Sequence, residues 1–292
     1  MKDPVPRIAA IHDLSGFGRV SLMMIIPILS TMGIQVCPLP TAVLSTHTGG
    51  FEGYRFLDLS DHMREMIAHW RSLDVRFDAV YSGFLGSSGQ IDIVAEFIDS
   101  FSIENQLVLI DPVMGDEGRP YGTITPQLIR GMRGLIGKAQ VITPNFTEAC
   151  FLLEEEYRKD IHPRDLKKWL IRLSDHGPTE VIITSVPLHP AANASAVIAY
   201  SRRDKRFWKV DCSYIPARYP GTGDAFASVI LGSLLQGDSL PIALDRAVQF
   251  VTLAVKASFG YDMPLREGVL LERVLGNLKS PLASMTYEIM DW

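Results

Sequence analysis

Six short runs of consecutive apolar residues, rich in Val and Ile and separated by longer amphipathic stretches, constrain this chain more than any other feature. They are Arg7–His12, Ile34–Leu39, Asp78–Ser82, Leu107–Ile110, Gln140–Thr143 and Glu180–Thr184. A strand wetted on one face alternates polar and apolar residues. A strand covered on both faces reads as a continuous apolar run, which is the signature of parallel sheets. The segments between the runs carry apolar residues at helical spacing. Ser60–Ile67 opens on a plausible N-cap serine and brings Met63, Ile67 and Trp70 to one face. Further helices are predicted near 88–100, 125–137, 146–156, 163–175, 225–236 and 241–258. Strands and helices in alternation build βαβ units with right-handed crossovers. Two later runs, Ala196–Tyr200 and Phe207–Val210, flank the polar Arg202-Arg203-Asp204-Lys205 and predict a hairpin. The expectation is an α/β chain with a mostly parallel central sheet, helices on both faces and an antiparallel edge.

No linker, repeat or low-complexity segment interrupts this alternation, so a single domain over residues 1–292 is expected. The net charge of −5 gives no basic face for nucleic acid. The cysteines, Cys37, Cys150 and Cys212, are odd in number, far apart and without metal-binding spacing. The longest apolar stretch, Leu22 to Leu29, is broken by Pro27 and is far short of the roughly 20 residues of a membrane span. Met1–Arg7 carries two prolines and no apolar segment of the signal-peptide kind. A cytoplasmic protein without membrane contact is expected.

Polar or glycine-rich clusters follow nearly every predicted strand: His12-Asp13-Leu14-Ser15-Gly16, Ser45-Thr46-His47-Thr48-Gly49-Gly50, Ser82-Gly83, Asp111-Pro112 and Thr143-Pro144-Asn145. In an open parallel sheet these positions share the carboxyl edge, where ligands bind. The sharpest motif lies further on, at Pro220-Gly221-Thr222-Gly223-Asp224-Ala225-Phe226-Ala227. Two glycines free the backbone just before a helix, and free amides plus the helix dipole favour an anionic phosphoryl group there. Asp224 stands at the lip of that helix. Asp111-Pro112-Val113-Met114-Gly115-Asp116 offers two carboxylates five residues apart, enough for Mg²⁺ when phosphate oxygens and waters complete the shell. Glu148, in Thr143-Pro144-Asn145-Phe146-Thr147-Glu148, is either a first-turn acid serving its helix dipole or an outer-shell metal ligand beside Asp111. His47 sits on the ligand edge, where contact with a substrate and a purely structural role are both open.

At these residues the sequence resembles the ribokinase-like superfamily, in particular the branch holding pyridoxal kinases and hydroxymethylpyrimidine phosphate kinases. The resemblance runs from Ile8 to about Gly260. Gly221-Thr222-Gly223-Asp224 resembles the family's anion hole and catalytic base, and Asp111–Asp116 and Thr143–Glu148 resemble its metal and nucleotide motifs. At the substrate end two signals compete. His12–Gly18 is closer to the Ser-Asp-x-Ser-Gly-Gly-x-Gly of the pyrimidine kinases, whereas Ser45-Thr46-His47-Thr48-Gly49 is similar to the Ser-Asn-His-Thr-Gly of pyridoxal kinases. The second loop faces the ring in the family and carries more weight. Thr184 stands where some bacterial pyridoxal kinases have a lysine near the phosphates.

What the resemblance implies is a three-layer ribokinase-like fold and transfer of the γ-phosphoryl of ATP to the hydroxymethyl group of a B6 vitamer. Asp224 would be the base, and the amides around Gly221, Thr222 and Gly223 would stabilise charge on the phosphoryl group. Asp13, Ser15, His47 and Thr48 would orient the ring. Asp111, Thr143, Asn145, Glu148, Thr184, Gly221 and Gly223 would hold the nucleotide, and Asp111, Asp116 and Glu148 would hold Mg²⁺. Asp116–Tyr121 would form a mobile flap that excludes water. A monovalent cation such as K⁺ is left open, and a homodimer is implied because the family is often dimeric. The alternatives are a hydroxymethylpyrimidine kinase and a non-catalytic vitamer-binding protein, though a binder would be expected to lose Asp224 or its glycines. A dinucleotide fingerprint at Gly16-Phe17-Gly18 fails because Ser21 replaces its third glycine.

Overall fold

The computed structural model describes residues 4–189, 194–280, 282 and 285–290. The chain runs β1 (Arg7–Ser15), α1 (Leu22–Thr31), β2 (Gln35–Leu44), β3 (Phe56–Asp58), α2 (Ser60–Ser72), β4 (Ala79–Ser82), α3 (Ser88–Ser100) and β5 (Leu107–Ile110). A small hairpin follows, β6 (Gly115–Asp116) and β7 (Arg119–Pro120), then α4 (Pro126–Leu135), β8 (Val141–Ile142), α5 (Phe146–Leu153) and α6 (Pro163–Asp175). Strands β9 (Glu180–His189), β10 (Ala194–Ser201) and β11 (Arg206–Asp211) precede the long helices α7 (Thr222–Leu235) and α8 (Leu240–Phe259). Short 3₁₀ turns and β12 (Glu288–Ile289) complete the described elements.

Among the described residues, ten strands form one sheet in the order β12-β11-β10-β9-β8-β5-β4-β1-β2-β3. Pairing is parallel from β2 through β1, β4, β5 and β8 to β9. The predicted hairpin is present as antiparallel β10–β11, with β10 also antiparallel to β9. The opposite margin is antiparallel too, because β3 turns back along β2, which the sequence reading did not anticipate.

Side chains on β1 alternate between two cores, as the period of a strand requires. Ala9 and Ile11 pack with buried residues of α2 to α6, whereas Ile8 and Ala10 pack with those of α1, α7 and α8. The apolar stretch from Leu22 is a helix that continues through Pro27. An internal proline costs about 3 kcal/mol. Five buried side chains, Leu22, Met24, Ile25, Ile28 and Leu29, contribute about 1.5–3 kcal/mol each, so burial wins. Among the described residues, no helix is long and apolar enough to cross a membrane.

Strand β1 extends past the predicted His12 to Ser15, so Asp13 and Ser15 lie on the strand rather than in a loop after it. Its register against β2 shifts between His12 and Leu14. Such a bulge re-aims side chains where a sheet meets a site, and here it delivers Asp13 to the carboxyl edge.

Candidate active site

A cavity of about 800 Å³ opens along that edge. It is lined by Asp13, Leu44, His47, Thr48, Tyr54 and Phe84, from β1, the end of β2 and the loops after β2 and β4, and by Asp111, Asp116, Thr143, Asn145, Glu148 and Thr184, from the segments after β5 and β8 and from β9. Gly221, Thr222, Gly223 and Asp224 line it too. Of the sequence-predicted site residues, Ser15 alone does not line it. Ser15 is fully buried and its hydroxyl donates to Asp13 Oδ2 at 3.1 Å, so it supports the wall from behind.

Gly221 caps α7 with φ +81°, and a Cβ there would meet the carbonyl oxygen of Arg19 at 2.2 Å. Glycine is required both for the left-handed backbone and for this close approach. It leaves the first amides of α7 without intrahelical partners, facing the cavity end of the helix dipole. Asp224 lies in that first turn, and its Oδ2 accepts the backbone N–H of Ser21 at 2.8 Å. Ser21 also donates its hydroxyl to Asp13 Oδ1 at 2.5 Å. Burial, reinforced by the charge of Asp13, pushes Asp224 up to about 7, with the Ser21 N–H pulling the other way. Asp13 is itself raised, chiefly by burial.

Glu148 closes a capping box with Asn145: its Oε2 accepts the Asn145 N–H at 2.8 Å while Asn145 Oδ1 accepts the Glu148 N–H at 2.9 Å. Glu148 Oε1 accepts the Met114 N–H at 3.0 Å, and Asn145 donates to the carbonyl of Gly115 at 2.8 Å. The first-turn role and the nearness to Asp111 therefore both hold. Burial raises Asp111 to about 8, with the charge of Asp224 adding to it, and Glu148 is held well above the usual carboxylate range by burial and by Asp111. Two buried carboxylates that disfavour each other's charge, unbridged by any lysine or arginine among the described residues, suit a hard divalent cation completed by phosphate oxygens. Asp116 is exposed on β6, and Asp111, Asp116 and Glu148 do not form a ready three-donor cluster among the described residues.

His47 is buried with both ring nitrogens engaged. Nε2 donates to the carbonyl of Arg266 at 2.6 Å and Nδ1 accepts the Gly49 N–H at 3.1 Å, which fixes the Nε2–H tautomer. It therefore presents ring carbon to the cavity and organises its loop, rather than offering a free nitrogen. Phe51 stands edge-on to it at 5.0 Å. The expected flap coincides with the β6–β7 hairpin, and Tyr121 just beyond it lines the cavity. Sequence reasoning missed Phe84, Tyr54, Ser21 and Arg218. Phe84 directly follows Ser82-Gly83, so the edge position alone was a signal for it. Ser21 carried none.

Residues 26–266 match the phosphomethylpyrimidine kinase family. A crystal structure from Bacteroides thetaiotaomicron, assigned as a phosphomethylpyrimidine kinase and obtained with pyridoxal, is 56% identical with a TM-score of 0.95, covering 98% of this chain and 100% of that one. The pyridoxal kinase of Lactobacillus plantarum is 30% identical with a TM-score of 0.86, covering 94% and 97%. A pyridoxal kinase of Corynebacterium diphtheriae is 26% identical over 91% of this chain and 93% of its own. With the match spanning most of the sheet and most of the residues that line the cavity, this chain is a kinase that belongs to the phosphomethylpyrimidine kinase family.

Proposed function

We propose that the protein transfers the γ-phosphoryl group of ATP to the 5′-hydroxymethyl group of a B6 vitamer, as a single domain over residues 1–292. The observation that carries this reading is the position of Asp224. It is tied through Ser21 to Asp13 and its charge also bears on Asp111, in the cavity that His47, Phe84, Glu148 and the α7 N-terminus line. The binding of pyridoxal by the Bacteroides protein supports the choice of ring.

Phosphoryl transfer asks a protein mainly for positioning and charge stabilisation. Asp224 would take the hydroxyl proton as the oxygen attacks, and an acid poised near neutrality suits that task. The amides at Gly221, Thr222 and Gly223 would meet the charge that grows on the phosphoryl oxygens. Asp111 and Glu148 would hold Mg²⁺, with Asp116 reaching it through water, and the ion would neutralise phosphate oxygens. Thr143, Asn145 and Thr184 would bound the nucleotide, while Asp13, held by Ser15 and Ser21, and Thr48 would orient the ring.

A second reading, phosphorylation of a hydroxymethylpyrimidine, draws on the family match and on Asp13-Leu14-Ser15-Gly16. An ADP-release assay with pyridoxal, pyridoxine, pyridoxamine and hydroxymethylpyrimidine, each offered with MgATP, separates them. Faster turnover of a vitamer supports the proposal. Faster turnover of the pyrimidine overturns it.

A further inference from the structure

The cavity walls are acidic. Asp13, Asp111, Asp116, Glu148 and Asp224 all line them, and the lysine and arginine side chains on the walls, among the described residues, are Arg218 and Arg266. A nucleotide adds its own negative charge to this cavity, and one divalent cation does not balance both. Arg266 is committed: its guanidinium lies 4.8 Å from the Phe51 ring and donates to the carbonyl of Gly50 at 3.2 Å.

Arg218 is placed differently. It stands three residues before Gly221, on the cavity-lining loop that leads into the α7 amides, and pairs with Glu117 at the tip of the β6–β7 hairpin. Its charge also bears on Asp116. Both partners of the Arg218–Glu117 pair are mostly exposed, at 77% and 62%. Exposed pairs contribute roughly 0–1 kcal/mol, so an incoming dianionic phosphate can displace the Glu117 carboxylate. A planar guanidinium grips phosphate through two parallel N–H bonds and stays charged at any working pH.

We propose that Arg218 binds the phosphate chain of the nucleotide, releasing Glu117 when the nucleotide enters. The inference rests on the kinase reading but not on which ring is phosphorylated. It makes Arg218 the cation that offsets polyphosphate charge in an otherwise acidic cavity.

Equilibrium titration calorimetry with ADP and with adenosine, each in Mg²⁺, tests it on the wild type, Arg218→Met, Arg218→Lys and Glu117→Gln. A lost charged hydrogen bond corresponds to about tenfold or more in affinity. Arg218→Met is expected to weaken ADP by at least that factor, to leave adenosine within about twofold, and to be partly rescued by lysine. Glu117→Gln is expected to leave ADP binding unchanged or tighter, because it removes the competing carboxylate. Unchanged ADP affinity in Arg218→Met overturns the proposal. So does an equal loss for ADP and adenosine, which indicates a distorted loop, or the same loss in Glu117→Gln, which indicates that the ion pair itself matters. The vitamer reading stands or falls separately, on turnover.

Discussion

Ser21 joins two acids that line the cavity: its N–H donates to Asp224 at 2.8 Å and its hydroxyl to Asp13 at 2.5 Å. It does so from a strained backbone, φ +48° and ψ −131°, at the start of α1. Such conformations cost non-glycine residues of order 1–3 kcal/mol and persist where the surroundings over-determine them. Ser21→Gly and Ser21→Ala lose the same hydroxyl; glycine relieves the strain but gives the unfolded chain more freedom, which offsets about 0.4–1 kcal/mol of the relief. Urea unfolding is expected to find the glycine variant more stable by about 1 kcal/mol. Both variants should raise KM for the ring substrate through Asp13. If alanine is the more stable, the strain assignment is wrong.

Asp224→Asn keeps an acceptor for the Ser21 N–H and a near-identical shape, so its Tm should stay close to wild type. Removing the base should lower kcat by about 10²–10⁴. Wild-type turnover in the asparagine variant would remove Asp224 from proton transfer. The wild type should also show an acid limb. Asp224, raised to about 7, must be ionised to accept a proton, so kcat/KM falls as pH drops through that region. A profile flat from pH 5 to 8 contradicts this.

The same shifts predict an unusual stability profile. Folded-state values of about 8 for Asp111 and about 7 for Asp224 exceed those of the unfolded chain, so the native state binds more protons between roughly pH 4 and 8. Their contribution is fully present at low pH and is lost as pH rises through the folded values. Without divalent cations, Tm set by this centre should decline between about pH 4 and 8. Mg²⁺ should restore it, and by more at pH 8 than at pH 6. Equal Mg²⁺ stabilisation at both values argues against a cation at Asp111 and Glu148.

Glu148→Gln tests a role the sequence presented as an alternative to metal binding. Both carboxylate oxygens accept backbone N–H groups, from Met114 and Asn145. An amide has one acceptor oxygen and would set an NH₂ group against an N–H. Leaving a buried donor unpaired costs about 1–3 kcal/mol. Differential scanning calorimetry should show a lower Tm, and a Mg²⁺ titration of activity should show that more Mg²⁺ is required. An unchanged Tm would show that the capping box tolerates the amide.

Most of the parallel sheet was legible because each strand is covered on both faces and each helix carries one apolar stripe, which are local periodicities. Gly221-Thr222-Gly223-Asp224 was legible for a similar reason: a helix N-terminus needs no distant residue to favour an anion. Helix α1 was not, because Pro27 opposes it locally and only packing against the sheet and α7 outweighs the proline. Strand β3 is three exposed residues, Phe56–Asp58, with no pattern of its own.

By itself the sequence determined which residue types stand at the carboxyl edge, since in a parallel sheet the segment after every strand lies on that one edge whatever the strand order. Tertiary structure decided how they meet. The bulge after His12 turns Asp13 toward Ser21, a fold-back brings Met114 to Glu148, and the hairpin carries Glu117 to Arg218. Those pairs lie 8, 34 and 101 residues apart. A side chain's role in them is fixed by the partner that packing delivers, and no local preference encodes that.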